Sequence, residues 1–429
     1  MLINFTVGNY LSFKDKVSLN MNASSIKERE EENIIIYEKY KLLKSAAIYG
    51  ANASGKSNLL KALGFMRWLV INSSKETTIN EEIDIYPFKL STETENKPSF
   101  FEIIFLLNDK TYRYGFEIDR KEVKAEWLYQ TETTKEKLLF IRNKDIIEVK
   151  KHFKEGKNLE EKTRNNALFL SVAANFNGFI SLDIINWFTN FKVISGLKDD
   201  NYSIITMEML DNEDTKKKIY DFIKNADLGI MDISLSKEKF SEKILPKGMP
   251  DDLFKSLSEK FKDEEFVNIN TYHQKFNEKN EVIETISFLL DEESSGTNKY
   301  FNLSGLIVKS LLKGSILAID EIDAKLHPLL TKAIIELFNS SKTNKNNAQL
   351  IFVTHDTNLL TSSLLRRDQI WFTEKNRYEA TDLYSLVEYK IEDKKVRNDA
   401  SYQRDYISGK YGAIPFIGNF EAIFGEING

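Results

Sequence analysis

The chain has 429 residues, with 41% hydrophobic, 29% charged and 12% aromatic side chains, enough for two or three ordinary globular domains. Cysteine is absent, which excludes a disulfide framework, thiolate metal sites and thiol catalysis, and favours a reducing, cytoplasmic compartment. The 60 Lys and Arg against 65 Asp and Glu give a net charge of -5, so the chain as a whole is not drawn to nucleic acid.

The N-terminal residues read as strands, at Leu2–Val7 and Lys16–Met21. They lack the basic segment followed by an apolar segment that marks a signal peptide. No run reaches the roughly 18 apolar residues that span a bilayer, so we expect no membrane role for this chain. The charged stretch Ser25–Lys41 is typical of a solvated loop or helix.

The stretch Gly50–Ser57, GANASGKS, fits the phosphate-binding loop pattern G-x-x-x-x-G-K-[ST] and follows a short apolar strand. Its glycines let backbone N–H groups face phosphate oxygens, Lys56 reaches the β- and γ-phosphates, and the Ser57 hydroxyl binds Mg²⁺. A helix should follow to about Ser73, with its N-terminal dipole facing the anion. The sequence therefore predicts a bound nucleoside triphosphate with Mg²⁺, and the nucleotide-binding residues are Gly50, Asn52, Gly55, Lys56, Ser57 and Asn58.

Three strands are predicted next, a hairpin at Phe100–Leu107 and Thr111–Ile118 and a third strand at Val123–Thr131. The segment Lys135–Arg164 has more basic than acidic residues and is the best local candidate for contacting a phosphate backbone, although composition alone favours a solvated surface. Residues 166–265 read as a mainly helical lobe, and a further hairpin is predicted within Phe266–Leu290.

The run Ser315–Glu321 is an apolar strand that ends in two acids, the form of a Walker B element. In that case Asp320 holds Mg²⁺, and Glu321 orients or deprotonates the attacking water. The alternative is a strand that merely meets a surface loop. A later strand, Gln349–Val353, is followed by His355, which faces the ligand crevice if the sheet is parallel.

A serine-glycine turn, Ser294-Ser295-Gly296, stands before a helical pattern and resembles a second anion-binding helix N-terminus. One nucleotide does not need two such sites in one chain. We therefore expect the turn to contact the γ-phosphate of a nucleotide that is bound to another subunit. The alternative is a plain helix cap, which the turn taken alone favours, because Ser and Thr are preferred at that position for helix reasons.

Taken in order, these motifs resemble the nucleotide-binding heads of ABC-type ATPases, including the Asp323–Leu326 turn after the acid pair. More closely, the chain resembles the SMC/RecF/OLD-like branch found in bacterial anti-phage systems, whose first strand and turn are similar to Phe5–Phe13. The similarity is strongest to RloA/AbiL-like ATPases, on Leu365–Lys375 and Tyr406–Pro415.

The resemblance implies an α/β fold, an ABC-type P-loop ATPase head with an antiparallel β subdomain and an inserted helical lobe. It divides the chain into an N-terminal head part (1–134), the lobe (135–265) and a C-terminal head part (266–429). It makes Asp320 the Walker B acid, Glu321 the catalytic carboxylate and His355 the switch histidine. Ser294, Ser295 and Gly296 become the signature, acting on the nucleotide of another subunit.

The resemblance also implies a function, a nucleotide-driven switch or sensor in an abortive-infection defence system. Its partners would be a second copy, in a homodimer or higher oligomer with ATP between the heads, and a separately encoded, nuclease-like effector of the RloB type. DNA or a phage component is a further candidate partner. The alternatives are a RecF/SMC-like DNA-binding ATPase of repair or replication and, third, a transporter ATPase.

Overall fold

The computed structural model describes residues 1–75, 78, 81–197, 202–239, 249–261, 265–391 and 394–418. The chain divides into two compact units. Unit 1 contains Met1–Leu197, Ser310–Ala324 and Thr331–Gly429, and unit 2 contains Lys198–Lys309 and Lys325–Leu330.

The strands, in chain order, are β1 (Leu2–Gly8), β2 (Val17–Asn20), β3 (Ile34–Tyr37), β4 (Tyr40–Leu43), β5 (Ser45–Gly50), β6 (Ser99–Leu107), β7 (Lys110–Ile118), β8 (Val123–Thr131), β9 (Glu136–Asn143), β10 (Ile146–Val149), β11 (Lys192–Ser195), β12 (Asp232–Lys239), β13 (Glu265–Phe276), β14 (Val282–Leu289), β15 (Ile316–Asp320), β16 (Gln349–Val353), β17 (Ile370–Lys375), β18 (Thr381–Ser385), β19 (Lys390–Ile391) and β20 (Lys394–Lys395). The helices are α1 (Glu30–Asn33), α2 (Lys56–Asn72), α3 (Phe169–Asn175), α4 (Phe179–Asn190), α5 (Ser203–Leu210), α6 (Glu213–Lys224), α7 (Asp251–Phe261), α8 (Ser295–Lys313), α9 (Pro328–Asn339) and α10 (Tyr402–Ile407).

A six-stranded sheet in unit 1 has the order β11-β15-β16-β5-β17-β18, in which only β18 runs antiparallel. Every residue of β5 and β16 is buried. Strands covered on both faces read as continuous apolar runs, which is why the sequence shows them without alternation. Because β5, β15 and β16 are parallel, their carboxyl ends meet at one edge of the sheet.

The second sheet of unit 1 has seven antiparallel strands in the order β10-β9-β8-β7-β6-β1-β2. The predicted hairpin is confirmed, since β6 and β7 are joined through Asn108 and Asp109, both with positive φ as a tight turn of this kind requires. Helix α2 contacts strands of both sheets and the helices α3 and α4, so one large apolar core extends across both sheets. The predicted α/β class with an antiparallel subdomain is confirmed.

A buried carboxylate attaches α3 to the antiparallel sheet. Glu126 of β8 is fully buried, and its carboxylate accepts hydrogen bonds from the Tyr114 hydroxyl at 2.9 Å and the backbone N–H groups of Phe169 and Leu170 at 2.7 and 3.1 Å. Burial raises the pKa of Glu126, and the nearby Arg142 guanidinium opposes that rise. The acid therefore caps the first turn of α3.

The structure divides the chain differently from the predicted segments 1–134, 135–265 and 266–429. Residues 136–149 are β9 and β10 of the antiparallel sheet, and α3 and α4 also belong to unit 1. The charge of the 135–164 segment hid a strand whose apolar core is Leu138–Ile141. The predicted hairpin within 266–290 is confirmed as β13 and β14, but it lies in unit 2 rather than in the head.

Unit 2 packs the three-stranded sheet β12-β13-β14 against helices around its own apolar core. The core residues are Met209, Leu210, Ile219, Ile223, Ile230, Ile233, Leu290, Phe301 and Val308. Helix α5 approaches α8 closely at Gly305, whose N–H donates to the Thr206 hydroxyl at 3.1 Å. A Cβ on Gly305 would lie 2.7 Å from the Thr206 backbone, so only glycine fits at this crossing.

Candidate active site

The phosphate-binding loop connects the end of β5 to the start of α2, as predicted. Gly55 is the residue before α2 and has φ 109°, a conformation that only glycine adopts readily. A Cβ at Gly55 would also collide with the Thr381 hydroxyl and lie 2.9 Å from the Ser12 hydroxyl oxygen. Ala53 has a positive φ of 62° as well, so the loop turns tightly over the first turn of the helix.

The Lys56 side chain lies across this loop. Its Nζ donates to the carbonyl oxygens of Gly50 at 2.8 Å and Ala51 at 2.9 Å, and the residue is 5% exposed. Burial lowers the pKa of Lys56 to about 8, and the negative charges of Asp320, Glu321 and Asp323 oppose that drop. A phosphate at the loop would supply the missing counter-charge.

Side chains from distant parts of unit 1 brace the loop. The Ser54 hydroxyl is 2.7 Å from the Thr373 hydroxyl, and the Thr381 hydroxyl donates to the Ser54 carbonyl at 2.8 Å. Ser12, in the turn after β1, accepts a hydrogen bond from the Asn58 amide at 2.9 Å, and its hydroxyl oxygen lies 2.8 Å from the Thr381 hydroxyl oxygen. Thr373 and Thr381 carry no local pattern that could have identified them from the sequence.

A tyrosine from α10 supports the first glycine of the loop. The Tyr406 hydroxyl lies near the Gly50 N–H, which lowers the pKa of that hydroxyl slightly, and it donates to the Ala413 carbonyl at 3.1 Å. Its ring stacks on Phe372 at 5.3 Å and meets the edge of Tyr49 at 5.9 Å. Burial raises the pKa of Tyr406 to about 12, so the hydroxyl keeps its proton.

The acid pair and the histidine come to the edge of the sheet at the loop. Asp320 ends β15, Glu321 follows with a positive φ of 51°, and His355 follows β16 two residues after its end. Burial lowers the pKa of His355, as does the Lys56 charge, while Asp323, Glu321 and Asp320 oppose the shift. His355 is therefore neutral at pH 7. Because the charges of Lys56 and of the three acids all act on His355, these side chains belong to one site at the sheet edge.

A close backbone contact sets the position of the acid pair. The Gly196 N–H, directly after β11, donates to the Asp320 carbonyl at 2.5 Å. A Cβ on Gly196 would overlap the Glu321 carbonyl oxygen, so glycine is required there. The sequence offered no signal for this residue.

The donor set fits Mg²⁺. Among the described residues there is no group of three His, Asp or Glu side chains arranged to hold a metal ion. Mg²⁺ at phosphate sites needs only one or two protein ligands, with water and substrate phosphate completing its octahedron. The Asp320 Oδ1 atom is buried without a hydrogen-bond partner among these residues, as a metal-binding oxygen would be before the ion arrives.

The predicted signature lies in unit 2 at the start of α8. The Ser294 hydroxyl accepts the Thr297 N–H at 3.1 Å, so the plain helix cap is present. Ser295 is exposed, and a Cβ on Gly296 would lie 2.9 Å from the Lys325 carbonyl oxygen. The preceding residue, Glu293, accepts hydrogen bonds from Thr271 at 2.5 Å and His273 at 2.7 Å.

The arginine-rich segment that supported the family resemblance is structural. Arg366 is fully buried and holds the Asp368 carboxylate with two hydrogen bonds, at 2.9 and 2.7 Å. Asp368 accepts the Ser24 N–H at 2.8 Å, and the Gln369 amide donates to the Ser45 hydroxyl at 2.7 Å. The segment therefore ties the charged N-terminal loop to the base of β5.

The basic segment retains exposed lysines. Lys150 forms an ion pair with Glu148 at 2.7 Å, whereas the side chains of Lys151, Lys154 and Lys157 are exposed. In the described part of the chain, no helix is both long and apolar enough to cross a membrane.

Comparison with solved structures finds weak similarity over nearly full length. The Smc head domain from Pyrococcus furiosus, solved with the C-terminal domain of ScpA, is 12% identical with a TM-score of 0.34, covering 90% of this chain and 96% of that one. RecF of the RecFOR pathway is 13% identical with a TM-score of 0.34, covering 89% and 98%. The ABC transporter component cbiO1 from Clostridium perfringens is 10% identical with a TM-score of 0.31, covering 96% and 93%.

Among curated proteins, none matches the sequence. A family model does match, over residues 45–361, and is described as "AAA domain, putative AbiEii toxin, Type IV TA system". That range covers more than half of the 429 residues and contains the phosphate loop, the acid pair and His355. The chain therefore belongs to this family of AAA domains.

Proposed function

We propose that the chain binds and hydrolyses ATP and uses its nucleotide state as a switch. The observation that carries the proposal is Lys56, a buried ammonium group held across a glycine loop and surrounded by the charges of Asp320, Glu321 and Asp323. A buried cation without a tightly paired carboxylate is costly unless an anion completes the site. Membership of an AAA domain family supports ATP as that anion.

Each residue of the site has a separate role in binding phosphate, binding Mg²⁺ or hydrolysing ATP. Lys56 exchanges its two carbonyl partners for phosphate oxygens, and the N–H groups at the start of α2 hold the same phosphates. Ser57 and Asp320 would hold Mg²⁺, which neutralises charge on the β- and γ-phosphates when bound. Glu321 accepts the proton of the attacking water, and neutral His355 positions that water or the γ-phosphate.

We further propose that each site is completed by the signature, Ser294-Ser295-Gly296, of a second copy. Support comes from the exposed turn at the start of α8, where backbone N–H groups and the helix dipole favour an anion. Binding or hydrolysis of ATP would then change the association of two heads, as a switch requires.

Mixing two inactive variants tests this shared site. Lys56→Met removes the lysine that binds phosphate, and Ser295→Arg blocks the signature. Neither homodimer therefore has a complete site. A mixed dimer keeps one complete site, and random mixing should restore about a quarter of wild-type hydrolysis, since half of the dimers are mixed and each has one working site of two. If the mixture stays as inactive as either variant alone, the signature does not act between copies.

The biological role we propose is abortive-infection defence against phage, with a separately encoded, nuclease-like effector of the RloB type. It rests on the family description, which names AbiEii, and on the RloA/AbiL resemblance. Cells carrying the chain with its neighbouring gene should form fewer phage plaques, and Lys56→Met should abolish that protection. Protection that survives Lys56→Met would contradict a nucleotide-driven role.

A second candidate function is a RecF/SMC-like DNA-binding ATPase, favoured by the exposed Lys151, Lys154 and Lys157. It predicts binding to double-stranded DNA that weakens steeply with salt. Changing these three lysines to glutamate should flatten that salt dependence, by a slope of about 0.9 for each lost phosphate contact. DNA binding that the triple variant leaves unchanged would remove this surface from consideration.

A further inference from the structure

Strand β14 forms one edge of the three-stranded sheet in unit 2. Seven of its eight residues are exposed, and no other strand of the described chain pairs with its outer side. An edge strand presents a row of unpaired backbone N–H and C=O groups, which is a template for pairing with another strand. Proteins that avoid such pairing place charges, proline or bulges along the edge.

The two edges of this sheet differ in that protection. The opposite edge, β12, has four charged residues among its eight, Asp232, Lys237, Glu238 and Lys239. Strand β14 has one, Glu284, and it forms an ion pair with Lys275 of the neighbouring strand β13. Four of the seven exposed side chains of β14 are instead apolar, namely Val282, Ile283, Phe288 and Leu289. The edge at β14 is therefore the one suited to pairing.

We propose that β14 pairs with β14 of a second copy of this chain, antiparallel and without any need for nucleotide. A two-fold axis perpendicular to the sheet can be centred on Thr285 or on Ile286. The first register places Glu284 opposite Ile286 of the second copy, and the second places Glu284 opposite Phe288. In neither does Glu284 face itself, so no like charges meet across the new strand pair.

Apolar pairs form in both registers. Centring on Thr285 sets Val282 opposite Phe288, and centring on Ile286 sets Ile283 opposite Leu289, each pair drawn from side chains that are exposed in the single chain. Cross-strand apolar pairs of this kind stabilise a sheet. The result is one continuous six-stranded sheet formed by two copies.

The pairing goes beyond the proposed nucleotide switch, because it uses only backbone and apolar groups of unit 2. It also bears on the signature. Thr271 and His273, on the neighbouring strand β13, hold Glu293, which directly precedes Ser294. The paired sheet would thus carry the contacts that set both signature turns.

The test is the molecular mass of the full chain in solution without nucleotide, measured by sedimentation equilibrium. The wild type should be a dimer, and Ile283→Lys should raise the dissociation constant at least about tenfold, since a charge then enters the strand pair. The matched control is Ile204→Lys on α5, because Ile204 is 49% exposed against 56% for Ile283 and lies in the same unit. This control should remain a dimer.

Two outcomes would overturn the proposal. One is a wild type that stays monomeric without nucleotide up to about 100 µM, including one that dimerises only with ATP. The other is an Ile283→Lys variant that dimerises as tightly as the wild type. If Ile283→Lys does not fold, as judged by circular dichroism, Thr285→Lys introduces the same charge at another exposed β14 position. Failure of ATP hydrolysis leaves this test unaffected, because no nucleotide is present.

Discussion

Replacing Lys56 with methionine should stabilise the nucleotide-free protein and abolish its response to ATP. Burial lowers the pKa of Lys56 from its ordinary value of 10.5 to about 8. The difference of 2.5 between the two pKa values corresponds to about 3 kcal/mol of free energy lost by keeping the ammonium charged in the folded state. Lys56 is only 5% exposed, so solvent screening reduces this figure little. Methionine retains the apolar length without the charge.

The stabilisation should depend on pH in a defined direction. Between pH 8 and pH 10.5 the unfolded chain holds the Lys56 proton while the folded chain has lost it. The unfolded state then binds more protons, so wild-type stability rises with pH across this window. The advantage of Lys56→Met is therefore complete below pH 8 and disappears by pH 10.5.

Urea unfolding followed by tryptophan fluorescence measures the effect. The four tryptophans all lie in unit 1, the unit that contains Lys56, at positions Trp68, Trp127, Trp187 and Trp371. Lys61→Met, at an exposed lysine of the same helix, is the matched control and should change stability little. A difference between wild type and Lys56→Met that stays constant from pH 7 to pH 10.5 would refute the reasoning. So would a Lys56→Met variant that ATP still stabilises.

Three further substitutions have expected outcomes. Gly55→Ala should abolish binding of a fluorescent ATP analogue, because its Cβ meets the Thr381 hydroxyl at a φ that alanine disfavours; undiminished binding would contradict the loop geometry. Tyr406→Phe should weaken the same binding about three- to tenfold by removing the polar group near the Gly50 N–H and its hydrogen bond to the Ala413 carbonyl, whereas Tyr378→Phe, at an exposed tyrosine, should not. Glu126→Ala should lower the urea unfolding free energy by about 3 kcal/mol, since three buried donors lose their acceptor; a loss below about 1 kcal/mol would show that water replaces the carboxylate.

The elements with strong local signals were predictable from the sequence. Continuous apolar runs identified β5, β15 and β16, and the glycine-lysine pattern identified the loop before α2. The order of parallel strands then implied that Asp320 and His355 share one edge of the sheet. Strand β9 was missed because its apolar core, Leu138–Ile141, lies within a segment whose charge dominated the interpretation.

The supports of the site were not predictable, because they come from side chains far away in sequence. Ser54 and Thr373 are separated by 319 residues, and Ser12 and Thr381 by 369. The local sequence around these short polar side chains does not distinguish them from solvent-exposed serine or threonine residues. Their role is visible only when the fold brings them together. The segment that begins at Tyr406 was identified only through the family resemblance. The position of the Tyr406 hydroxyl beside Gly50 shows how this segment contributes to the phosphate loop.

Phosphate release from ATP, measured with Mg²⁺ for the wild type and for Glu321→Gln, tests the central claim most directly. Glutamine keeps the size of Glu321 but cannot accept the proton of the attacking water. We expect Glu321→Gln to bind ATP as tightly as the wild type and to release phosphate at least about a hundredfold more slowly. Equal release rates for the two proteins would contradict the assignment of this sheet edge as the site of ATP hydrolysis.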